Sequence, residues 1–174
     1  MRKLIFCALA LPLLLLNSCG NGSKRQIITL SDVEFSYEGP LYEGPNPAQY
    51  AWKVDLKSLL KDQYQDGMKI KGAKLLTAEI RDEECEDCYG FDDIKSFVLS
   101  FATNNKDVPM QAVALLNPIA AGKKVQALNI SGEADLTDYL NESEVYIILD
   151  SDLKQDIEAN LTLKATITLE LSFD

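Results

Sequence analysis

An all-β fold, an antiparallel β-sandwich of about eight strands with two short crossover helices, is what this sequence predicts. Three observations carry that expectation. Apolar residues recur with a period of two along most of the chain. Turn signals cut the chain into short runs: Glu-Gly-Pro at 38–40 and 43–45, Asp-Gly at 66–67, Asn-Asn at 104–105 and Ala-Gly at 121–122. No alternation of strands with helices of about 10–15 residues appears, so a parallel α/β sheet is not expected. A flattened β-barrel uses the same pattern and is the alternative.

The strands follow in order. The first is expected near 26–37 and the second around Tyr50, Trp52, Val54 and Leu56, which alternate with Ala51, Lys53 and Asp55. Others fall near 68–81, 109–117, 123–132 and 144–150, and Phe97, Leu99 and Phe101 alternate with Val98 and Ser100. The last is the clearest. Leu161, Leu163, Ala165, Ile167, Leu169, Leu171 and Phe173 share one face, with Thr162, Lys164, Thr166, Thr168, Glu170 and Ser172 on the other. Such strands bury one face and leave a polar face in water. Two segments break the pattern, Asp55–Leu60 and Asp135–Leu140. Each offers an aspartate to cap a helix, then apolar residues at helical spacing. Both are expected to cross between sheets as one- to two-turn helices that plug an end of the sandwich.

The front of the chain belongs to a different physical class. Arg2 and Lys3 precede an apolar run from Leu4 to Leu16. That run is shorter than the roughly 20 residues a spanning helix needs, and it contains Pro12. It reads as a targeting segment. It ends in Leu16-Asn17-Ser18-Cys19-Gly20, which resembles the lipobox of bacterial lipoproteins, with Asn17 a mild departure. The resemblance covers only the first residues and implies nothing about the fold behind them. It implies removal of residues 1–18 and lipidation of Cys19; the small and polar residues that follow read as a tether over 19–26, and the remaining length suits one domain over 27–174. The resemblance also implies an anchored place in the cell envelope. Gly20 is not the aspartate that retains some lipoproteins at the inner membrane, and GNGSKRQ lacks acidic residues. The expectation is therefore the outer membrane, with the periplasmic face favoured over the surface.

Removal of residues 1–18 from a chain of 174 takes away Arg2 and Lys3 and moves the net charge from −10 to −12. An acidic body of this kind repels nucleic acid and favours cationic partners. The chain has no histidine, which removes Ser-His-Asp and Cys-His catalysis and histidine-ligated metal sites. No phosphate-binding glycine loop or nucleophile elbow is present.

Two features remain as candidate sites. In RDEECEDCYGFDD, residues 81–93, Cys85 and Cys88 sit among carboxylates. Negative charge raises a thiol pKa, which argues against redox catalysis. In an exported protein the pair is expected to form a disulfide. Asp82, Glu84, Asp87, Asp92 and Asp93 are candidate calcium ligands, although Asp87 stands where an EF-hand loop needs glycine. Tyr37 and Tyr42, in a repeated Tyr-Glu-Gly-Pro-type turn, are candidates for stacking on sugar rings. No cofactor is otherwise expected. The resulting expectation is a lipid-anchored protein with a non-enzymatic binding or assembly role, partnered by the membrane and by an envelope protein or glycan. The alternatives are a carbohydrate- or calcium-binding adhesin-like domain and a carboxylate-based hydrolase.

Overall fold

The computed structural model describes residues 24–82, 91–132 and 134–173. Among them run nine strands and two short helices: β1 (Lys24–Tyr37), β2 (Gly44–Lys53), α1 (Leu56–Leu60), β3 (Ile70–Asp82), β4 (Ile94–Ala102), β5 (Gln111–Leu116), β6 (Val125–Ala127), β7 (Asn129–Ile130), α2 (Thr137–Leu140), β8 (Glu144–Leu153) and β9 (Leu161–Phe173). They form two sheets, ordered β1-β9-β3-β6 and β2-β8-β4-β5-β7, with antiparallel pairing throughout. Each sheet ends in edge strands among the described residues, so the fold is a sandwich and not the closed barrel.

The inner faces meet in one core. Phe35, Ile80 and the odd-numbered residues of β9 face Phe97, Leu99 and Phe101 of β4, Ile147 and Leu149 of β8 and Val113 of β5. Burying a side chain of this size contributes about 1.5–3 kcal/mol, and the alternation of β9 holds along its whole length.

β1 keeps its inward face by a device that periodicity does not reveal. Ile28 and Leu30 point inward on even numbers, Val33, Phe35 and Tyr37 on odd. The switch is a bulge between Leu30 and Val33, where Asp32 adopts φ 57°. One extra residue re-aims every side chain beyond it. Aspartate tolerates that left-handed conformation better than most residues.

α1 forms as expected. The Asp55 carboxylate accepts from the backbone N–H of Lys57 at 3.0 Å and of Ser58 at 3.3 Å. The helix carries the chain from β2 to β3, that is, from one sheet to the other. α2 differs. Its N-cap residue is Leu136, although the Asp135 carboxylate still accepts from Thr137 N–H at 3.0 Å. It also joins β7 to β8, two strands of the same sheet, and so is not a crossover. Its segment instead covers the open edge of β3. Leu136 N–H donates to Ala73 O at 2.9 Å, Ala73 N–H donates to Thr137 Oγ1 at 3.1 Å, and Asn141 Nδ2 donates to Ile70 O at 3.0 Å. An uncovered edge invites pairing with another chain.

The stretch expected as one strand over 123–132 is two: β6 pairs with β3 in one sheet and β7 with β5 in the other. β1 also begins at Lys24, inside the segment expected as tether.

Candidate functional site

The expected site residues scatter. Cys19, Cys85, Cys88, Glu84 and Asp87 lie outside the described residues. Asp82 closes β3, while Asp92 and Asp93 form a single 3-10 turn before β4. The Asp93 carboxylate accepts from Gln155 Nε2 at 2.9 Å, and Asp92 O accepts from Lys154 Nζ at 2.6 Å. Burial holds the Asp82 carboxyl above the usual carboxylate range, opposed by Lys124. No group of three metal-ligating side chains forms among the described residues.

Tyr37 overturns the sugar-stacking expectation for its own position. It is buried, with 4 % exposure, and cannot offer a ring face. Its hydroxyl lies 2.8 Å from Ser151 Oγ and donates to Leu149 O at 3.1 Å, tying β1 to β8 across the sandwich. Burial pushes the phenol well above the ordinary tyrosine value, against the Ser151 hydrogen bond. Tyr42 is exposed. The pair therefore forms no shared platform.

The structure brings together a different set. On the outer face of the five-stranded sheet, Asp150 stands between Pro47 on β2 and Val98 on β4. One row along, Ile148 stands between Gln49 and Ser100, and Ser100 pairs with Ala112 on β5. A hollow of about 820 Å³ runs over these residues to the exposed Met110. A second of about 460 Å³ shares Val98 and Ala112 and continues to Leu115 and Ile130. Small side chains at Ser100 and Ala112 lower the floor, and a bulge between Leu99 and Ser100 adds local twist.

Asp150 is the polar exception. Its Oδ1 is buried with no hydrogen-bond partner among the described residues. Burial holds its carboxyl above the usual range, aided by Asp152 and opposed by the Asn46 backbone N–H. Asp152 has a cation nearby, with Lys95 Nζ at 3.7 Å. The site can therefore accept apolar surface and one strong hydrogen-bond donor. It displays no nucleophile paired with a base.

Sequence periodicity missed this groove because polar outer faces were expected. The signal was present in two strands. Phe97-Val98-Leu99 and Val145-Tyr146-Ile147-Ile148-Leu149 place apolar residues on both parities. Such runs belong to strands covered on both faces.

No protein-family model matches this chain, and no curated protein matches it significantly. Among solved structures it is similar to the decameric BFDV capsid protein, at 14% identity and TM-score 0.33, covering 86% of this chain and 100% of that one. It is also similar to a Turnip yellow mosaic virus structure, at 12% identity and TM-score 0.27, covering 98% of this chain and 90% of the other.

Proposed function

We propose that this chain is a lipid-anchored envelope protein whose sandwich works by binding rather than by catalysis. The observation that carries the anchor is the Leu16-Asn17-Ser18-Cys19 stretch, placed directly after a basic n-region and a short apolar run. A single acyl chain holds a protein only marginally, and a diacylated cysteine exceeds that threshold. The start of β1 at Lys24 supports the geometry, since five residues at up to about 3.6 Å each place the sandwich within about 18 Å of Cys19. The end of the sandwich carrying α1 then lies nearest the membrane, because Lys24, Ile70 and Phe173 are sheet neighbours. The binding role rests on the apolar groove and on the absence of histidine from the sequence. No separate observation favours the hydrolase or adhesin alternatives.

The test is metabolic labelling with an alkyne-bearing palmitate in the bacterial host. The parent chain takes up label and stays with washed membranes. The Cys19→Ser variant takes up none. Equal labelling of the two chains, or none in either, removes the anchor.

A further inference from the structure

The groove on the outer face of the five-stranded sheet joins apolar side chains to one carboxylate, Asp150. All five strands of the sheet contribute to it, and its lining is mostly apolar. Met110 is 64 % exposed and Leu115 is 48 % exposed, so its rim presents large apolar side chains to water. The Asp150 carboxylate is flanked in register by Pro47 and Val98, neither of which supplies a side-chain donor. An unpartnered buried acceptor is costly until a donor reaches it. The Asn46 backbone N–H already reaches the carboxylate, and a cation from a partner would add a charge-assisted bond to it.

We propose that this groove binds a segment of a partner protein in which an apolar side chain lies beside a lysine or arginine, the apolar group packing on Val98, Ile148 and Ala112 and the cation pairing with Asp150. The occupant is a partner, not a second copy. This chain is strongly acidic, with a net charge of −10, and two acidic copies repel each other. Charge complementarity thus favours a basic segment. The proposal rests on the binding reading above but not on the anchor, which the fate of Cys19 decides separately.

The test is selection from a random peptide library displayed on phage against the immobilised, detergent-purified protein. Enriched peptides should pair apolar residues with lysine or arginine. The affinity of a selected peptide should fall by at least about tenfold in Ile148→Asp. The same loss is expected in Ala112→Glu, an exposed position where folding is not at stake. In Asp150→Asn, apolar selection should persist while the preference for basic residues disappears. The proposal fails if no peptide is enriched or if Ala112→Glu leaves binding unchanged. It also fails if basic residues are not selected by the parent, or are still selected by Asp150→Asn. A parent that sediments as a dimer, converted to monomer by Ala112→Glu, would make a second copy the occupant and overturn it.

Discussion

At the scale of single residues, three side chains carry the most testable physics. Tyr37 spends its hydroxyl on Ser151 and Leu149 across the core. Tyr37→Phe leaves Leu149 O without that donor and should cost about 1–2 kcal/mol in urea unfolding. Gly39 is held against the turn before β9: an added Cβ would lie 2.7 Å from Ala159 O and 2.8 Å from Glu158 O. Both are backbone atoms, which cannot rotate away. Gly39→Ala should cost about 1–3 kcal/mol by overpacking, whereas Gly72→Ala meets only the mobile Ser172 hydroxyl and should cost less. Asp150 has a raised pKa in the folded state, so folding binds a proton near its titration. Its ionisation therefore lowers stability as pH rises through the folded value. Asp150→Asn removes that cost and should unfold at higher urea than the parent at pH 7. The difference should shrink to nothing below the ordinary carboxylate value of about 3.9. A variant less stable than the parent at pH 7 would contradict the burial argument.

At the scale of elements, local chemistry decided what periodicity could reveal. β9 is readable because its two faces never exchange. β1 is only half readable, since the bulge at Asp32 reverses parity midway without a glycine to announce it. Asp32→Gly should fold normally. Asp32→Val should cost roughly 1–2 kcal/mol, the penalty for a left-handed residue with a crowded Cβ. β2 extends back to Gly44 through Pro45 and Pro47, although Glu-Gly-Pro reads as a turn. Proline is tolerated there because β2 is an edge strand with no partner on its far side among the described strands. α1 was visible through Asp55, and Asp55→Ala should cost about 1 kcal/mol as a lost cap. α2 was visible as a helix but not as a cover for β3, because that role depends on a strand more than sixty residues away. The groove was hidden for the same reason. Pro47, Val98, Ala112 and Ile148 become neighbours only through the strand order.

At the scale of the whole molecule, the proposed anchor would set which end of the sandwich faces the membrane. The end where β1 begins is of mixed charge: Lys24 and Arg25 lie there, and Lys57, Lys61, Lys69 and Lys71 in and around α1 and the start of β3 alternate with Asp55, Asp62 and Asp66. The opposite end carries Glu38, Glu43, Asp92, Asp93, Asp152, Asp156 and Glu158. A sandwich tethered at Cys19 would hold this mixed-charge end toward the headgroups and its acidic end away. That orientation would leave the groove on the side of the molecule, open to a partner along the membrane plane. All of this depends on what happens to one cysteine. Intact-mass spectrometry of the chain purified from its host membranes tests it most directly. The account predicts a chain that begins at Cys19 and carries the added mass of two or three acyl chains. A chain that retains residues before Cys19, or begins there with an unmodified thiol, would contradict it.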